Sequence, residues 1–292
     1  MSQADLRAAI GRELAAFPGV GAFFAKNLTT GDEVSIDGDA VMATASTIKV
    51  PILVEFYRQV EAGLTTLDTP LTSTAANYAP GSGVLRDLSL GITMRAEDVA
   101  TLMIVVSDNT ATNMLIDHLG LGAINATMAA MGCPETRLVN RIHFETIGKD
   151  AKNLAVTTPR SLARLMELIA TDAILTPASC AGILGIMRKQ HYRDNVPRYL
   201  PFTPYAEELE SSDNGLRIFN KTGGWTGLRA DVALIEWPGT RYVITAFTDR
   251  DPDGRFWAEN AGAITLGRVS RLIFEHFGGG SLAPIAPVAY DE

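Results

Sequence analysis

Three short polar motifs follow one another along the 292-residue chain: Ser46-Thr47-Ile48-Lys49, Ser107-Asp108-Asn109 and Lys221-Thr222-Gly223. Ser46 and Lys49 are three residues apart where a helix is expected to begin. At 3.6 residues per turn the hydroxyl and the ammonium share one face. A serine hydroxyl attacks a carbonyl once a base takes its proton, and a lysine can be that base if burial and nearby positive charge lower its pKa. The apolar flanks Ala43, Ala45, Ile48 and Val50 set Lys49 against a core. The helix start also offers backbone N–H groups to a developing oxyanion. Ser107-Asp108-Asn109 falls between two helical runs, where a loop can aim two polar side chains into a cleft. Asp108 and Asn109 are equally suited to capping the next helix, and both roles can hold at once. Lys221 and Thr222 close a predicted strand with a cation and a hydroxyl suited to a carboxylate, and Gly223 lets backbone lie close to a ligand. Arg229 is a second candidate for that carboxylate, or else an exposed strand arginine. The chemistry is serine acyl transfer.

With 13 Ser and 6 Lys in 292 positions, chance supplies about 0.3 S-x-x-K matches. The weight lies in the ordered set, with 61 residues from Ser46 to Ser107 and 114 from Ser107 to Lys221. On these motifs the chain resembles the class A β-lactamase and penicillin-recognising serine hydrolase family. The resemblance runs over roughly residues 20–277. It implies that Ser46 is the nucleophile, Lys49 the general base and Ser107 a proton relay to the leaving nitrogen. It implies that Asn109 holds the substrate amide, and that the strand with Lys221, Thr222 and Gly223 binds substrate. The residue after the last motif, Gly224, would donate the second oxyanion N–H. A repeat of the second tripeptide, Ser212-Asp213-Asn214, stands in the wrong order and reads as a loop. One departure concerns the loop 136–159, where class A enzymes carry a glutamate that activates the deacylating water. Here that place falls near Ile142 and His143, and Glu145 is displaced from it. His143, Glu145 and Lys49 are the candidates to activate that water.

The elements around the motifs read as an α+β sandwich. A helix in residues 1–17 leads into a hairpin of strands 20–28 and 33–36, turned at Thr29-Thr30-Gly31-Asp32. Helices are predicted over 46–59, with Pro51 limiting the first turn, and over 96–106 and 111–119, the last ended by Gly120. Thr158-Pro159 and Thr176-Pro177 each put a capping Thr before Pro at the first helical position. Strands 217–221, 232–237 and 242–248 follow, and a helix over 261–277 closes the pattern. Residues 1–45 and 215–280 would form a mostly antiparallel sheet covered by the terminal helices. Residues 46–214 would form the mainly helical lobe, read at fold level as an all-α insertion, both lobes making one catalytic unit over 1–280 with a loose tail at 281–292.

Composition limits the partners. The net charge of −8, with no basic run, argues against nucleic acid and anionic membrane surfaces. The first residues are amphipathic and mixed in charge, which reads as cytoplasmic; a chain whose leader had been removed would look the same. Cys133 and Cys180 are expected to stay reduced and buried, and four scattered histidines give no metal spacing. The expected partner is a small molecule carrying an amide or ester and a carboxylate, handled without metal or organic cofactor. The leading reading is β-lactamase-type hydrolysis. An esterase, amidase or DD-peptidase-like hydrolase, and a penicillin-binding module with little turnover, use the same residues.

Overall fold

The computed structural model describes residues 1–202 and 214–282. Helix α1 (Gln3–Ala16) starts at a capping box in which Ser2 and Asp5 bond each other's backbone N–H. Strands β1 (Val20–Asn27) and β2 (Glu33–Ile36) form the first hairpin. The last hairpins are built from β8 (Arg217–Trp225), β9 (Leu228–Trp237) and β10 (Thr240–Asp249). Together they make one antiparallel sheet in the order β2-β1-β10-β9-β8, so strands from both ends of the chain meet where β1 pairs with β10.

Period-two alternation sends the two faces of this sheet to separate cores. Phe23, Ala25, Ile235 and Ile244 face Leu6 and Ile10 of α1 and Leu266, Val269 and Ile273 of α9 (Ala261–His276). Phe24, Leu234, Val243 and Phe247 face the helical insertion. That insertion contains α2 (Lys49–Glu61), α3 (Ala96–Val105), α4 (Asn109–Leu119), α5 (Leu121–Ala130), α6 (Phe144–Ile147), α7 (Pro159–Ala170) and α8 (Pro177–Arg188). Thr158 and Thr176 do cap α7 and α8, each ahead of its proline.

Three expectations need correction. The insertion is mainly helical, not all-α. It holds β6 (Arg137–Leu138) and β7 (Ala155–Thr157), which join β3 (Met42–Ala43), just ahead of the insertion, in a small sheet, and a pair of β4 (Pro70–Thr72) with β5 (Thr93–Arg95). Strands of two or three residues are too short to show a period. The last motif does not end its strand, because β8 continues to Trp225. The turn is Thr226-Gly227, with Gly227 at φ +72. Ser46 also precedes α2, inside a 3-10 turn over Ala45–Ile48. Ser212 and Asp213 of the repeated tripeptide, and residues 283–292 of the tail, lie outside the described residues.

Cys133 and Cys180 are buried free thiols. Among the described residues no helix is long and apolar enough to cross a membrane.

Candidate active site

Ser46 lies in a 3-10 turn over Ala45–Ile48, and Lys49 follows directly as the first residue of α2, its backbone N–H bonded to the Ser46 carbonyl. Ala45 enters the turn at φ +43, a conformation that costs a non-glycine residue strain of order 1 kcal/mol and marks a held position. Lys49 heads α2 with its side chain wholly buried. Its ammonium nitrogen lies 2.7 Å from the Ser107 carbonyl oxygen, 3.1 Å from Ser107 Oγ and 2.9 Å from Asn109 Oδ1.

The second motif splits its roles as the sequence allows. Ser107 sits at φ +55 between α3 and α4. Asp108 caps α4 by accepting from Ala111 N at 2.9 Å, and its other oxygen accepts from Val84 N at 2.7 Å and Leu85 N at 2.8 Å. This carboxylate ties the loop 81–86 to the Ser107 turn. Asn109 points inward, bonding Lys49 and donating to the Pro80 carbonyl at 2.9 Å.

Lys221 reaches the same point from the sheet. Its Nζ donates to Ser107 Oγ at 3.0 Å and to the Thr222 carbonyl at 2.6 Å. Trp225 and Leu228 close the two-residue turn, which makes Gly224 and Thr222 members of non-hydrogen-bonded pairs. Their backbone groups therefore face outward from the edge strand. Gly223 is required by contact: a Cβ there would lie 2.8 Å from Thr44 O and 3.1 Å from Ser46 N. The edge of β8 thus presses directly on the backbone that presents Ser46.

Burial, the charge of Lys221 and, in the opposite sense, the carboxylate of Asp108 act on Lys49, and the net result is a pKa well below the usual lysine value. Burial takes Lys221 down to about 7, with Asp231 pulling it upward. Asp231 is itself buried and raised to about 7, though Asn220 donates to both its oxygens, at 3.1 and 3.3 Å, and Val196 N to one at 3.1 Å.

In front of these buried groups lies a cleft of about 1130 Å³ lined by Ser46, Ser107, Asn109, Thr222, Gly223, Gly224 and Arg229 among others. Arg229 is buried, so it is not the exposed strand residue. It donates to the carbonyls of Trp225 (2.9 Å), Leu228 (2.7 Å) and Arg255, and stacks on Phe256 at 4.3 Å. From the loop 136–159, Ile142, Phe144, Gly148, Lys149 and Leu154 reach the cleft. His143 and Glu145 are exposed and outside its lining, and His143 Nδ1 is 2.9 Å from Thr146 Oγ1. Ile142 is held inward because Asn113 bonds both its N–H and its carbonyl at 2.9 Å. Sequence reasoning missed Asp231, whose charge directly before the apolar run Val232–Ile235 was a readable signal. It also missed the aromatic rim of Tyr192, Phe256 and Trp257.

The profile described as "Beta-lactamase enzyme family" matches residues 4–277. The chain belongs to that family. A β-lactamase of Sphaerobacter thermophilus is 30% identical, with a TM-score of 0.84 over 95% of this chain and 98% of that one. PBP-A is 32% identical, with a TM-score of 0.81 over 94% and 96%, and a variant of it was solved as an acyl-enzyme complex with penicillin G. A Rhodobacter capsulatus β-lactamase is 26% identical over 79% of this chain and 75% of its own length. This β-lactamase-family chain has the mixed helix and antiparallel-sheet fold of those neighbours.

Proposed function

We propose that the protein opens a β-lactam or closely related amide through an acyl-enzyme on Ser46. The observation that carries this reading is a shared oxygen: Ser107 Oγ lies 3.1 Å from Lys49 Nζ and 3.0 Å from Lys221 Nζ. Two buried ammonium groups this close repel strongly, so one rests neutral. Lys49 is that one, since burial and Lys221 both push it down while Asp231 favours the charged form of Lys221. A neutral Lys49 has two N–H groups for the Ser107 carbonyl and Asn109, and a lone pair for the Ser107 hydroxyl hydrogen. Ser107 Oγ then accepts from the Lys221 ammonium.

When substrate enters, the Lys49 amine turns its lone pair from the Ser107 hydroxyl to Ser46 and takes the Ser46 proton as Oγ attacks the carbonyl carbon. The N–H groups of Ser46 and Gly224 receive the oxyanion, and Ser107 passes its hydroxyl proton to the departing nitrogen and takes a replacement from the Lys49 ammonium, which returns to the neutral amine. Lys221 and Thr222 hold the substrate carboxylate, and Asn109 the amide. Deacylation is the slow half. The loop contributes Ile142 and Phe144 to the cleft where class A enzymes carry a glutamate, which favours a second reading as an enzyme acylated with little turnover. Of the three candidates His143, Glu145 and Lys49, Lys49 is the one at the cleft floor and is taken as the base that activates water.

Mass spectrometry after exposure to penicillin G tests this reading. One adduct is expected on the peptide containing Ser46, and none in Ser46→Ala. An adduct at another serine that persists in Ser46→Ala would overturn the mechanism.

A further inference from the structure

Five aromatic side chains line the cleft: Phe144, Tyr192, Trp225, Phe256 and Trp257. Four of them are more than a third exposed, from 37% for Phe144 to 69% for Phe256, and Tyr78 is the one other large aromatic so exposed among the described residues. Four exposed rings gathered around one concave site, against a single one elsewhere among the described residues, mark surface for a ligand to bury.

The rings differ in what already occupies them. Arg229 stacks on Phe256 at 4.3 Å and Arg255 on Trp257 at 3.5 Å, while Tyr192 turns its hydroxyl to the Val106 carbonyl at 3.5 Å. Among the described residues Phe144 and Trp225 have only each other as ring partners, with centroids 5.3 Å apart and planes 22° from parallel. Phe144 comes from the loop 136–159 and Trp225 from the end of β8, so this stack bridges two walls of the cleft.

Its place relative to Ser46 follows from two glycines. Trp225 directly follows Gly224. On the other wall a Cβ at Gly81 would lie 2.9 Å from Asn109 Nδ2 and 3.2 Å from Phe144 Cζ. The stack therefore borders Asn109 and Gly224, the groups given above to the amide and the oxyanion, and so borders the acyl portion of the substrate.

Resting on that acyl-enzyme reading, we infer that the Phe144–Trp225 stack seats a flat aromatic group on the acyl portion, making arylacyl compounds the preferred substrate class. A third ring laid against the pair gains apolar burial and offset stacking together. A short alkyl acyl group gains neither. Bond making and breaking at Ser46 are unchanged by the preference.

The test compares the second-order rate of Ser46 acylation by penicillin G and by the analogue carrying acetyl in place of phenylacetyl. In the wild type penicillin G should react faster by on the order of tenfold. Phe144→Leu and Trp225→Leu keep apolar bulk but lose the flat face. Each should bring the ratio to within about twofold by slowing penicillin G alone. Equal rates in the wild type would overturn the proposal. So would variants that slow both compounds in proportion, the mark of a structural role, or that leave the ratio as it was. No adduct on Ser46 from either compound would instead overturn the acyl-enzyme reading on which the proposal rests.

Discussion

Replacing Lys221 by methionine removes a buried charge while keeping an unbranched chain of similar length, and its main chemical consequence is predicted at Lys49. Both lysine nitrogens lie about 3 Å from Ser107 Oγ, so they are no more than about 6 Å apart. At an effective dielectric of roughly 20, two unit charges at that distance repel by about 2.8 kcal/mol. That repulsion is worth about a hundredfold in the balance between charged and neutral Lys49. Lys221→Met relieves it, so Lys49 holds its proton more tightly. The base works in its deprotonated form, and acylation rises with pH through its pKa. Raising that pKa moves the acid limb of the profile to higher pH, with rates below the limb falling by about a hundredfold. The assay is stopped-flow acylation by a neutral aryl ester, which needs no carboxylate anchor, beside an anionic counterpart. In the wild type the anionic compound should also lose kcat/KM as pH rises through about 7, where Lys221 discharges, and the neutral ester should not. An acid limb in Lys221→Met that superimposes on the wild-type limb would refute Lys49 as the titrating base. An identical alkaline fall for both esters would refute Lys221 as the anchor.

His143→Ala and Glu145→Gln should leave single-turnover deacylation within about twofold of wild type, since both side chains are exposed and outside the cleft; a marked slowing in either would return that residue to the mechanism. Gly223→Ala should cost about 1–3 kcal/mol and depress acylation, because its methyl meets the Thr44 carbonyl and Ser46 N; thermal melts and adduct kinetics read both effects, and unchanged values would deny the close approach. Asp231→Asn should raise Tm. The folded-state carboxyl pKa stands near 7, above its ordinary 3.8, so the native state binds this proton more tightly than the unfolded chain and loses stability as pH climbs between those values. The gain in Asp231→Asn should therefore widen from pH 4 to pH 7, and a gain that does not change with pH would contradict it.

The candidate reacting groups stand out in the sequence because the chemistry proposed for them dictates their types. Ser46, Lys49, Ser107, Asn109 and Lys221 arrive from a 3-10 turn, a helix, a loop and a strand, yet each stands in a recognisable tripeptide or tetrapeptide. The five-stranded sheet was legible too, from alternation in 217–248 and the hairpin near Gly31. The misreading of Gly223-Gly224 as a strand end has a physical source. Glycine serves both tight turns and close backbone approach, and local sequence does not separate the two. Partners fixed only by tertiary packing left no local trace. Phe144 meets Trp225 across 81 positions of sequence, and Asp231 gains its significance from Asn220 and Val196.

The edge position of β8 has a consequence for self-association. A sheet border with outward-facing backbone groups is a template onto which another polypeptide can add a strand. Here the face of that strand at Gly223 packs on the turn 45–48, and the segment around Asn195 is fastened to the neighbouring strand through the Ala230 carbonyl at 3.0 Å. The turn that presents Ser46 therefore also braces an adhesive margin. Any lesion that loosens it, even one far from the reacting atoms, uncovers a strand competent to recruit a second molecule, so loss of activity and onset of aggregation share one structural origin.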